Sequence, residues 1–423
     1  MLFRGSIALL TAGGLLLGMN TATAAGTEPN EAADPEVSAL PDSSTLQTPV
    51  VSKGRVLRSD GTPAAGSNLV LLAWPSNDVT DKQVVGDTVK LQPIARATSD
   101  ANGQFEVRIA SNSSLEPLAG RDGIVNMELT AEKGDDAVLP FSFPRKLNVT
   151  KTPDGERELV LSNVNSDESE IAVAEPGDLE LTLQGAGVDK NAPVGEPAPE
   201  TDDADAVIHQ EPRTTPLQKE WTTKLVADYG PKWDLVGQHW STTTGVLTQF
   251  SFLDSSTSEI GVGASVSGKY GSFKKSGTIA RSADGDITFP RVGANAKQFH
   301  DTAYRFGRYE HTQWSIQGQI IQRYYTVRAL NWEGGARTRN IKFTPDTPYC
   351  SQPWGAGTNW AKTRTKAILW TNGYDVTNVV GLELSTVSGY SIKTKISYTF
   401  QLGRKLCGEK GPFDGNALKL VSR

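Results

Sequence analysis

Between residues 391 and 402 the chain reads SIKTKISYTFQL, with Ile392, Ile396, Tyr398, Phe400 and Leu402 at alternate positions and Lys393, Lys395 and Gln401 between them. A period of two puts one set on each side of an extended chain, the signature of a half-buried strand. The pattern recurs in LTQFSFL, QIIQRYYTVRALNW and NVVGLELSTV. Upstream, Phe105, Val107 and Ile109 alternate with Glu106 and Arg108. Helical spacing is found only in TPLQKEWTTKLVADYG, residues 215–230. The expected class is mainly β, with antiparallel sheets.

Composition then divides the chain. Arg4, the apolar run IALLTAGGLLLG and the small residues ATA read as a secretory signal over residues 1–24, cleaved after Ala24. Residues 25–49 are polar, acidic and proline-containing, too poor in apolar surface to offset their ordering entropy, and read as a disordered lead. Residues 165–215 repeat that character as an acidic Pro/Ala-rich linker, with DLELTLQG inside it readable as a short strand of the preceding domain. Two domains are therefore expected, residues 50–164 and 216–423. After the signal no stretch has the length and apolarity of a transmembrane helix.

The first domain is punctuated by turns. Asp60-Gly61 with Pro63 separates Val56 from the apolar run at 69–72, and Asn102-Gly103 separates Thr98 from Phe105. The spacing Gly54-x-Val56, Asp60-Gly61-x-Pro63, Gly66, Val70, Thr98-x-Asp100, Gly103-x-Phe105-x-Val107 resembles the carboxypeptidase regulatory-like family. That resemblance covers roughly residues 50–112 and weakens towards 164. It implies a transthyretin-like β-sandwich that serves as an accessory, non-catalytic module of exported proteins. Zinc carboxypeptidase activity is excluded on ligand grounds. A zinc carboxypeptidase site needs His-x-x-Glu and a later His, and none of His209, His239, His300 and His311 has Glu three positions on.

Charge changes sign at the linker. From Pro216 onward there are 26 Lys and Arg against 15 Asp and Glu, a net of +11. The preceding residues hold 16 and 33, a net of −17, which the whole-chain 42 and 48 conceal. Eight of the nine tryptophans also follow the linker. A basic domain behind an acidic arm suits an anionic partner or an intramolecular contact, while dispersed basic residues equally suit a solvated surface. The only cysteines, Cys350 and Cys407, are expected to form a disulfide in an exported chain, closing a loop of 57 residues.

One stretch, SEIGVGASVSGKYGSFKKSG (258–277), raises the question of a membrane-inserting hairpin. Ile260, Val262, Ala264 and Val266 share one side, with Gly261, Gly263, Ser265 and Ser267 on the other. The return strand breaks the pattern, because Arg281 sits among Ile279 and Ala283. An ordinary strand is expected, although Gly/Ser/Ala alternation also resembles the insertion strands of aerolysin-like pore-formers.

No catalytic motif is legible: there is no nucleophile elbow, no His-Glu-x-x-His and no phosphate-cradling loop. Asp284 and Asp286 flank a glycine, which a hairpin turn explains better than a paired general acid and base. No catalytic, metal or cofactor residue is assigned. The candidate binding surface is Trp354, Trp360 and Trp370 with Lys362, Arg364 and Lys366, aromatic platforms beside cations that suit carbohydrate or anionic polymers. Core tryptophans flanked by solvent-facing cations give the same pattern and are the commoner case. The expected function is a bacterial secreted or cell-surface binding protein, non-catalytic, whose basic β domain engages an anionic envelope polymer. A β-pore-former and a secreted hydrolase are the second and third readings. Nucleic acid is not an expected partner, because export and the lack of a recognition module oppose it. Oligomeric state is not legible.

Overall fold

The computed structural model describes residues 49–134, 136–138, 140–151, 154–155, 157–164, 178–184, 220–265, 273–293, 296–340, 348–364, 368–369, 390–391, 393–408 and 421–422. The expected signal, its expected cleavage point after Ala24, nearly all of the expected acidic lead and most of the expected linker lie outside these residues. Strand accounts for 67% of the structure against one short helix, which makes the protein mainly β.

Nine strands build the first part: β1 (Val50–Leu57), β2 (Asn68–Ala73), β3 (Thr88–Thr98), β4 (Gln104–Arg108), β5 (Ile124–Lys133), β6 (Asp136–Val138), β7 (Phe141–Lys151), β8 (Arg157–Ser162) and β9 (Asp178–Gln184). Helix α1 (Asn77–Thr80) lies between β2 and β3. One layer runs β8–β7–β5–β2–β3 and the other β4–β1–β9, with β6 joining β5 to β9. Between them lies a core that includes Val56, Leu69, Leu71, Val107, Met127, Leu129 and Leu181. The DLELTLQ part of the expected short strand is thus β9, paired in parallel with β1.

The first layer is buried on both faces. Along β2, Leu69 and Leu71 enter that core, while Val70, Leu72 and the adjacent Trp74 enter a second cluster with Leu91, Trp221, Leu225, Tyr309 and Tyr324. Along β5, Val125, Met127 and Leu129 face the first core, and the intervening Asn126 and Glu128 are buried too. Two-sided burial with polar residues at every second position marks a face that meets a polar-lined partner.

That partner is a long meander. Strand β10 (Glu220–Ser241) is followed by β11 (Val246–Phe252), β12 (Thr257–Ser265), β13 (Lys274–Ser282), β14 (Ile287–Thr288), β15 (Ala296–Trp314) and β16 (Ile320–Asn340). β10 pairs with β3 through Trp221↔Leu91 and with β15, β15 with β16, β16 with β12, and β12 with β13. β13 returns to β7 through the single pair Gly277↔Ser142, so the succession of strands closes on itself as a barrel. The helical spacing at 215–230 is overturned from Glu220 onward. Trp221, Thr223 and Leu225 alternate into the interior, and ladder pairing on both edges of β10 outweighs a weak local helical preference.

The other face of the meander carries a third core, with Trp240, Phe250, Ile260, Val262, Ile279, Phe289, Phe299 and Phe306. β12 therefore lies inside the sheet with Ile260 and Val262 buried, while the turn at residues 266–272 lies outside the described residues. The remaining strands are β17 (Tyr349–Cys350), β18 (Asn359–Arg364), β19 (Ile368–Leu369), β20 (Tyr390–Ser391), β21 (Thr394–Phe400), β22 (Leu406–Gly408) and β23 (Val421–Ser422). A separate four-stranded sheet runs β14–β11–β21–β18. The expected Cys350–Cys407 disulfide is present between β17 and β22, and β22 connects through β23 to β10.

Candidate functional site

The four-stranded sheet has one apolar side and one polar side because β11 and β21 alternate without a bulge. Val246, Phe250, Phe252, Ile396, Tyr398 and Phe400 point into the protein. Gln249, Ser251, Lys395, Ser397 and Thr399 fall on the opposite parity and, with Arg291, Thr288, Asn359, Ala361 and the aromatic residues Trp360 and Tyr398, line a shallow groove of about 440 Å³. Ser251 and Thr288 hydroxyls lie 3.2 Å apart, and the Gln249 amide donates to the Phe289 carbonyl at 3.3 Å. The groove wall thus mixes amides and hydroxyls with two exposed cations, Lys395 and Arg291, and no carboxylate lines it. Neither cation pairs with a carboxylate among the described residues. A surface of this kind can hydrogen-bond a polyol and neutralise its negative charge.

A second recess has the opposite sign. About 340 Å³ in volume, it is lined by Asp78, Asp81, Asp122, Asp254 and Asp284 against Arg121 and Arg281, with Trp332 on its wall. Arg121 holds Asp78 at 2.9 Å and keeps its carboxyl below the usual range. Arg281 is buried and donates to Asp81 at 2.7 Å, Asn77 at 2.8 Å and Thr80 at 3.0 Å. Burial pushes Asp81 up to about 6, so it is still ionised beside Arg281 at neutral pH. The two recesses are therefore opposite in charge.

Two further clusters of acid–base residues are sealed in the interior. Glu128 accepts hydrogen bonds from Trp74 at 3.1 Å and from the Tyr324 hydroxyl, His311 stacks on Tyr324 at 4.4 Å, and Arg328 lies 3.5 Å above the Trp74 ring. His311 and Glu128 are wholly buried, which makes this a lock between the first layer and the meander. His239 Nδ1 and His300 Nε2 are 2.5 Å apart, with His300 stacked on Phe250. Burial depresses His239 to about 4 and His300 well below its ordinary value.

No family model matches the sequence, and no curated protein or solved structure matches it.

The sequence-nominated residues divide by strand parity. Trp360 and Lys362 pair in register with Tyr398 and Ile396, and of the nominated residues Trp360 alone is among those that line the groove. Trp360 contacts Tyr398 at 5.9 Å and Trp354 stacks on Phe400 at 6.1 Å, both partly buried against the small core of Val246, Ile396 and Leu406. Arg364 ends β18, while Lys366 and Trp370 lie outside the described residues, as does His209. The groove residues missed were the polar partners of the very alternation that revealed the strand: Lys395, Ser397 and Thr399 were legible as its solvent side, but their juxtaposition with Gln249 and Asn359 depends on register.

Proposed function

We propose that this is an exported, non-catalytic binding protein that engages an anionic polymer of the cell exterior through the groove of the four-stranded sheet. The observation that carries the reading is the pairing of two exposed cations with a ladder of amides and hydroxyls on a carboxylate-free face. The net charge of +11 after residue 215 supports it by steering an anionic chain towards this part of the molecule. The disulfide supports an oxidising compartment. Within this reading, residues 50–164 are a transthyretin-like accessory module that scaffolds the meander.

The test uses the full mature chain on immobilised anionic cell-wall polysaccharide across a salt series, with neutral dextran as control. Retention at low salt that falls as salt rises is expected, and the double variant Lys395→Ala/Arg291→Ala should bind about ten-fold more weakly with a flatter salt dependence. No retention of the native protein at low salt, or equal retention of the double variant, overturns the proposal.

A further inference from the structure

Strand β7 changes neighbours partway along one edge. From Lys146 onward it pairs with β8, and at Ser142 it meets β13, so residues 143–145 have no ladder partner on that side. A cavity of about 450 Å³ opens in the gap, between β7, Val164 and the β12–β13 hairpin. Two opposite charges line it, Arg145 and Glu259. They are not in salt-bridge contact with each other. The Arg145 guanidinium sits 4.8 Å from the Phe143 ring and donates to the carbonyls of Pro144 and Val51, each at 3.1 Å, while its Nε–H has no partner. Glu259 accepts one hydrogen bond, from Thr278 at 3.2 Å. Ser142, fully buried, lines the same cavity with its hydroxyl unsatisfied.

A buried hydroxyl without a partner is costly, and the two partly buried charges, though each feels the other's field, each bear a desolvation cost. Burial accordingly draws Arg145 down to about 10 and Glu259 upwards. A ligand that brings a complementary charge to each group relieves both costs at once. Apolar wall residues Phe141 and Val164 leave room for a hydrocarbon side chain between the two charges.

We propose that this cavity binds a small zwitterion of the α-amino acid class, its carboxylate on Arg145, its ammonium on Glu259 and its side chain against Phe141 and Val164. The site is independent of the groove and stands or falls without it. The experiment is isothermal titration calorimetry of the full mature protein with L-leucine, using N-acetyl-leucine and leucinamide as controls that each lack one charge. Leucine should bind at least ten-fold tighter than either control. Glu259→Gln should weaken leucine about ten-fold while leaving N-acetyl-leucine unchanged, and Ser142→Ala should weaken leucine less. Absence of leucine binding to the folded native protein overturns the proposal, as does equal binding of the controls or an unaltered affinity in Glu259→Gln. The native-protein arm decides the matter even where the variant fails to fold.

Discussion

Arg281 is the single side chain on which most of the junction depends. Its guanidinium reaches Asp81, two hundred positions upstream, and also Asn77, Thr80 and the Ala329 carbonyl, so one residue of β13 ties α1 to β16. Removing it leaves a half-buried carboxylate without its counter-charge. Arg281→Met is therefore expected to lower stability by about 3 kcal/mol in urea unfolding, with Asp81→Asn costing less. The histidine pair makes a second residue-scale prediction. In the unfolded chain His239 titrates near its ordinary 6.5, in the folded protein near about 4, so its contribution is fully present above pH 6.5 and is lost as pH falls towards 4. Asp234, pushed by burial up to about 7, acts oppositely: its cost is full above pH 7 and is relieved as pH falls. His239→Gln should separate the two, improving relative to the native protein by about 2–3 kcal/mol between pH 7.5 and pH 4.5. An identical difference at both pH values would place the acid response elsewhere. The mid-strand charge of Arg281 was visible in the sequence; its partner was not, because nothing periodic links residues two hundred apart.

At the scale of elements, the seam between β7 and β13 is the thinnest part of the barrel. Gly277 adopts φ +93°, and a Cβ there would lie 1.8 Å from the Ser142 carbonyl oxygen. Gly61 has a similar φ of +81° but open space around it. Gly61→Ala should cost about 1 kcal/mol and Gly277→Ala distinctly more, with faster amide exchange along β13, because only the second forces two backbones apart. Short strands were legible wherever alternation ran unbroken, as in β4, β11 and β21. The long strands were not. Along β10 the ladder is interrupted between Leu225 and Ala227, Asp228 and Gly230, and Leu235 and Gly237, and each bulge resets which parity faces inward. The first half of that strand packs on Trp74 and the second on Phe250, so a single period cannot describe it. The groove suffered the same loss: its strands could be read, but the register that sets β11 beside β21 and β18 could not.

For the whole molecule, the barrel joins segments on both sides of the 165–215 stretch into one body. Trp221 and Leu225 share a core with Trp74 and Leu91, and Glu128 lies against Tyr324. Proteolysis between residues 190 and 216 should therefore leave two fragments that co-migrate in size-exclusion chromatography and separate only in denaturant. Fragments that part under native conditions would show the shared core to be too weak to hold them. The disulfide acts at the same scale. Its loop of 57 residues predicts that Cys350→Ala/Cys407→Ala loses about 2–4 kcal/mol against urea.

The doubly buried layer also has a history in time. During synthesis, residues 68–74 and 124–133 emerge long before Trp221 or Tyr324 arrives to cover them. Contacts at such sequence separation form slowly, so an early intermediate displays Val70, Leu72 and Trp74 to every neighbouring chain. Asn126 and Glu128 stand on that same waiting face. Before they are hydrogen-bonded members of a finished interior they are wet, polar interruptions, one of them charged, in an otherwise sticky surface, and in that interval they act as gatekeepers against aggregation.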